Sequence, residues 1–342
     1  MSLVDVVAAL LFVGVVAYAL FGGADFGSGV WDLLALDAPQ APGLRRQIDR
    51  SIGPVWEANH VWLIYILVFL WTGFPTGFGA IVRTLYVPLL FVGLGIVLRG
   101  AGFAFRKFAA TRASARVFGV AFAASSVITP FFLGMIAGAV ASGRVPADGD
   151  GGLLDAWTGP TSWVGGILAV LTCMFLAGAF LAADSHRAGD DDLARWIGRR
   201  ALLAGLATGV VAVAAIIPIE LDSETLAGKL QGRGAVLLVV SGLSGVSALS
   251  LLHRQRWAIA RLGAVIAVAA IVVGWGVAQY PDLLTDTLSL EEAAGARPTL
   301  IGLVITFGVA AVTAVPAMVW LFVLVNRRDW ATDEPASPEP SA

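Results

Sequence analysis

The sequence predicts an all-α polytopic membrane protein with nine transmembrane helices. Three observations predict it. Hydrophobic residues make up 58% of the 342 positions and charged residues only 13%, with a mean hydropathy of +0.84. A water-soluble surface needs roughly a quarter of the residues charged. The apolar residues fall into nine runs of about 20, the length that spans a bilayer as a helix. The basic residues between the runs alternate from loop to loop. Disordered, coiled-coil and nucleic-acid-binding chains are excluded by this composition, and a net charge of −2 leaves no basic patch. The single cysteine, Cys173, can form neither an internal disulfide nor a cysteine zinc site.

The runs are 3–22, 54–72, 77–103, 117–140, 162–183, 200–219, 234–252, 259–280 and 299–325. The first has no basic start and no small-residue cleavage pattern after it, so it reads as a retained span and not a signal peptide. The second opens at Pro54, which suits a first helical turn. The third carries Arg83 at one end and Arg99 near the other. The fifth carries Cys173 and Met174, which read as packing residues because adjacent positions face different ways. All nine runs are continuous and not alternating, which excludes a transmembrane β-barrel. Residues 1–331 therefore form one membrane domain, and the Pro- and Ser-rich stretch 332–342 reads as a disordered cytoplasmic tail.

Loops one, three, five and seven, with the C-terminal flank, carry sixteen of the 22 Lys and Arg residues. The opposite side carries only Arg144, Lys229, Arg233 and Arg297. Basic loops stay in the cytoplasm. This predicts the N-terminus outside, the C-terminus cytoplasmic, and an odd number of spans. The loops are short, so any chemistry belongs within the helices or in a partner.

An ionisable residue at membrane depth costs at least ~2.5 kcal/mol and is a functional suspect. Asp25, Glu57 and Arg99 are the three. Asp25 and Arg99 each lie 22 residues from the outer start of their predicted runs, roughly 33 Å at the helical rise. Glu57 lies about a turn above the inner start of the second run. All three are expected to converge near the cytoplasmic edge of one three-helix corner. Gly22 and Gly29 share the face of Asp25 and allow a close approach to it. A plain account of Asp25 is a glycine-rich packing seam with an acid at the interface. Trp56, Asn59, His60 and Leu63 form an i, i+3, i+4, i+7 stripe whose Asn and His need hydrogen-bond partners. Glu57 also suits a helix N-terminus electrostatically. A lone buried histidine is more often a structural hydrogen-bonder than a metal ligand. Arg99 is either a positive-inside flank or a partner of Asp25 or Glu57.

The segments Gly22-Gly23-Ala24-Asp25-Phe26-Gly27-Ser28-Gly29 and Gly53-Pro54-Val55-Trp56-Glu57-Ala58-Asn59-His60-Val61-Trp62-Leu63-Ile64 resemble subunit II of the cytochrome bd-type quinol oxidases. Arg99-Gly100-Ala101-Gly102-Phe103, the Gln279-Tyr280-Pro281 turn and Leu288-Ser289-Leu290 fit the same family, and the resemblance covers the whole chain. It implies two four-helix bundles plus one peripheral helix. It also implies a place in the bacterial cytoplasmic (inner) membrane, in a complex that oxidises quinol and reduces dioxygen to water in aerobic respiration. Subunit I, the heterodimer partner, is expected to carry haem b and haem d. This chain is expected to bind no cofactor or metal with catalytic work, to contribute no catalytic residue, and to touch the lipid bilayer and no nucleic acid. A structural quinone or lipid in this chain and a small accessory subunit stay open. Oxygen reduction consumes protons, so Asp25 and Glu57 are expected to relay them from the cytoplasm, with Asn59 and His60 ordering water and Arg99 holding the acids' charge. A proton-coupled secondary transporter is the alternative from another class, and a purely structural scaffold for subunit I is a third reading.

Overall fold

A computed structural model describes residues 2–35, 38–53, 56–106 and 111–326. Pro54 and the predicted tail 332–342 lie outside them. The elements are almost all helical: α1 (Leu3–Ala17), a π-helical turn (Tyr18–Gly22), α2 (Gly23–Leu34), α3 (Ala41–Ile52), α4 (Trp56–Gly73), α5 (Pro75–Thr84), α6 (Tyr86–Arg106), α7 (Arg112–Ala141), α8 (Pro160–Arg187), α9 (Asp191–Ala214), α10 (Ile216–Asp222), α11 (Glu224–Gln231), α12 (Ala235–His253), α13 (Trp257–Gln279), α14 (Leu290–Ala293) and α15 (Arg297–Asn326). A two-stranded antiparallel ribbon, β1 (Asp282–Leu284) and β2 (Leu288–Ser289), follows α13. Among the described residues eight helical segments are long and apolar enough to span a membrane, and nine if α3 and α4, bent by 53°, count as one.

Three predicted boundaries are corrected. The first span does not stop at residue 22 but runs from Leu3 to Leu34. The Gly, Ala, Asp and Ser residues after 22 lower the hydropathy, yet they are all buried against neighbouring helices, so the helix continues. Much of the first predicted loop is α3, which carries Pro42 in its first turn and buries Leu44 and Ile48. The third predicted span is two helices. Leu85 leaves helical geometry at φ −109°, ψ 24°, and Pro88 then occupies the first turn of α6. Arg83 is thus in the last turn of α5 and exposed.

These corrections move the two buried charges. Asp25 lies nine residues before the end of α2. Arg99 lies 13 residues into α6 with seven still to follow. Neither sits at a helix end, as the predicted boundaries required.

The low-Arg segments are tied to one another at one end of the bundle. Ser2 donates to Glu291 at 3.0 Å, and Lys229 to Asp282 at 2.8 Å. Thr287 donates to the Val145 carbonyl at 2.8 Å, Gly295 N–H to the Gly73 carbonyl at 2.7 Å, and Arg144 pairs with Asp222. At the other end Asp184 accepts from Ser51 at 3.0 Å and Arg261 at 3.2 Å, while Arg45 donates to Asp32 at 2.7 Å. Helix packing brings α2, α6, α7 and α8 together on one side and α8, α9, α12 and α13 on the other; α15 lies against α1 and α4.

Candidate functional site

The site is built where α2, α6 and α7 meet. Glycines make this approach close. A side-chain carbon on Gly29 would collide with Ser126 of α7, and one on Gly95 would collide with Thr129. One on Gly27 would enter the Cys173 carbonyl of α8. Trp31 fixes α2 on α8 by donating its indole N–H to the Met174 carbonyl at 2.9 Å. The π-helical turn just before α2 is a break in helical register of a kind that recurs at functional sites.

Asp25 and Arg99 meet in this seam, 0% and 1% exposed. Arg99 Nη2 donates to Asp25 Oδ1 at 2.6 Å and to the Asp25 carbonyl at 2.7 Å. Arg99 Nη1 donates to Ser126 Oγ. Ser126 in turn donates to the Phe122 carbonyl at 2.6 Å, and Ser28 donates to the Asp25 carbonyl at 2.6 Å. The guanidinium lies over two aromatic rings, 4.9 Å from the centroid of Phe26 and 4.5 Å from that of Phe122. Cation–π contact of this kind is strongest where water is excluded. The charge is therefore held by one carboxylate, two oxygens and two ring faces.

The pair is not saturated. Among the described residues Asp25 Oδ2 is buried without a hydrogen-bond partner, as are both ring nitrogens of His60, the Tyr18 hydroxyl and the Thr129 hydroxyl. His60 lies 6.0 Å from the Phe26 ring, 6.4 Å from Tyr18 and 6.4 Å from Trp56. One aromatic ring, Phe26, thus bridges the imidazole and the guanidinium. Buried polar atoms are costly unless paired, so each of these atoms is suited to an ordered water. Contact with three rings is packing geometry for His60. Among the described residues no three His, Cys, Asp or Glu side chains are grouped to hold a metal. Cys173 packs with Tyr18 and Phe26.

The structure brings Asp25, Arg99 and His60 into one region, with Asn59 buried beside His60 on α4. It does not bring Glu57 there. Glu57 is exposed in the first turn of α4. Residues 57 and 59 are two apart, about 200° around a helix; turning Asn59 inward turns Glu57 outward. Glu57 heads an outward stripe with Val61, Ile64, Val68 and Trp71. Sequence reasoning missed Ser28, Ser125 and Ser126. Hydroxyls in a long apolar run were the available signal.

A sequence model of the cytochrome bd terminal oxidase subunit II family matches residues 3–325. The chain belongs to that family. The cytochrome bd ubiquinol oxidase subunit 2 of Bacillus subtilis (strain 168) is 27% identical over 240 residues, 69% of this chain and 68% of that one. A putative cytochrome bd menaquinol oxidase subunit II of the same organism is 24% identical over 214 residues, 61% of this chain and 60% of that one. Among solved structures, a chain of the bd oxidase from Geobacillus thermodenitrificans superimposes with a TM-score of 0.79 at 25% identity, covering 95% of this chain and 98% of that chain. A cytochrome bd subunit II is a component of a respiratory quinol oxidase in a membrane, and this membership replaces the transporter alternative.

Proposed function

We propose that this chain scaffolds the haem-bearing subunit I of a cytochrome bd-type quinol oxidase and supplies a cytoplasmic-side proton path for reduction of dioxygen to water. The N-terminus lies outside the bacterial inner membrane and the C-terminus inside. The helices form two four-helix bundles, with α15 at the edge. Haem b and haem d belong to subunit I, and this chain contributes no catalytic residue; quinol and dioxygen are substrates of the complex.

The observation that carries the proton path is the buried Asp25–Arg99 pair with one carboxylate oxygen left unpaired beside other unpaired polar atoms. Arg99 stabilises the carboxylate, so that a proton can leave Asp25 without stranding a bare charge in an apolar interior. Asp25 Oδ2 is the atom that takes and releases the proton. His60 and Asn59 order water on the α4 side. Glu57 belongs on a surface that subunit I would cover, because a carboxylate facing lipid costs about 2.5 kcal/mol or more.

Asp25→Asn keeps the size and the hydrogen bond to Arg99 but cannot carry a proton. In the assembled complex with an unchanged haem spectrum, quinol-driven oxygen consumption should fall on the order of a hundredfold. Wild-type turnover and proton uptake in that variant would leave only the scaffold role.

A further inference from the structure

A path through Asp25 needs an inner opening, and Glu57 does not reach Asp25. We infer that protons reach Asp25 along α2 itself, from Asp32, and that Arg45 covers the inner end of this route. The inference rests on the reading of Asp25 as a proton-carrying group.

Asp25, Ser28, Gly29 and Asp32 are spaced i, i+3, i+4, i+7 and so share one face of α2. All four are buried. The other side chains on the helix are largely apolar: Phe26, Val30, Trp31, Leu33 and Leu34. The polar face meets α7 at Gly29, which lies against Ser126. There α7 contributes Ser126, 0% exposed; Ser125 donates to the Phe122 carbonyl, and Thr129 lies against Gly95 of α6. Pro130 has no N–H, so the Ser126 carbonyl, four residues back, lacks its usual helical donor. The Ser28 and Ser126 hydroxyls and the Asp25 carbonyl put oxygens into the seam beside the Arg99 guanidinium, and the α2 stripe itself carries no apolar side chain.

Asp32 ends this stripe. It is 6% exposed, and its Oδ1 accepts from Arg45 Nε at 2.7 Å. Arg45 comes from α3, and its side chain is 38% exposed. Asp32 thus joins an outward-reaching cation to the buried seam. Seven residues separate the two acids, about 10 Å along the helix axis; a hydroxyl and intervening water must carry the proton between them. A proton binds the Asp32 carboxylate. That O–H bond then breaks as one forms on Asp25, with no electron moved and no co-reactant consumed. The competing account is that the Asp32–Arg45 pair only staples α3 to α2.

The two accounts differ over which substitution is tolerated. Asn is nearly isosteric with Asp and can still accept from Arg45, whereas Glu is longer but can carry a proton. The test uses the complex with subunit I in proteoliposomes, its haem spectrum unchanged, and reads quinol-driven oxygen consumption and proton uptake. Asp32→Asn should slow both on the order of tenfold or more, and Asp32→Glu should restore most of the loss. Wild-type rates in Asp32→Asn while Asp25→Asn is slow would overturn the Asp32 entry and leave Asp25 fed from elsewhere. Wild-type rates in both would remove the underlying reading as well. If Asp32→Asn does not assemble, Arg45→Gln decides. An uncovered route should keep at least wild-type uptake, and a slowed or unassembled Arg45→Gln complex would establish the staple.

Discussion

Replacing Arg99 with methionine is expected to destabilise the chain by about 3–5 kcal/mol, the cost of leaving a buried ion without its partner. The size follows from where the pair sits. Asp25 and Arg99 are almost wholly enclosed, so water cannot replace the lost guanidinium. The substitution also removes the donor to Ser126 and the cation over Phe26 and Phe122. Methionine fills similar volume, so the loss measured is mainly electrostatic. Combining it with Asp25→Asn should recover more than half of the loss, because the stranded charge is then gone. Thermal unfolding of the purified complex, with haem content as a check on assembly, measures both. A double variant destabilised by the sum of the two single variants' losses would mean that the two residues are not energetically coupled.

Gly27→Val should prevent assembly. A side-chain carbon at Gly27 would meet the Cys173 carbonyl, and would lie 2.7 Å from Ala177 Cβ. The obstacle is helix backbone, which cannot rotate aside, so α2 and α8 must part. Ordinary overpacking costs about 1–3 kcal/mol and occasionally more. Here it also separates the helix bearing Asp25 from its support. Gly27→Ala should fall between wild type and Gly27→Val. Gly242→Ala is the control: nothing lies within 4 Å of its new carbon, and alanine in a helix gains about 0.5–1 kcal/mol over glycine. The yield of haem-bearing complex for the three variants gives the ranking.

Much of this was legible in the residues, for physical reasons. Lone charges in apolar runs are conspicuous, so Asp25 and Arg99 stood out before any coordinates. Ties within each end, Ser2–Glu291 at one and Asp184–Arg261 at the other, join loops of the same parity in the alternation of basic residues. Hydropathy misread α2, because it scores Gly, Ser and Asp as exposed when a close helix neighbour is what makes them favourable. The same blindness hid the Ser28, Ser125 and Ser126 hydroxyls and Asp32. The break at Leu85 carries little composition signal beyond Pro88. Glu57 is different: His60, three residues on, shares its side of α4 while Asn59 faces the other way, so the residues alone left its direction open.

The central claim is that the Asp25 carboxyl changes protonation as the oxidase turns over. Redox-triggered infrared difference spectroscopy of the assembled complex observes protonated carboxyl groups directly. The account predicts a carboxyl C=O stretch in the reduced-minus-oxidised spectrum that disappears in Asp25→Asn while the haem bands stay unchanged. Identical carboxyl bands in wild type and Asp25→Asn would contradict it.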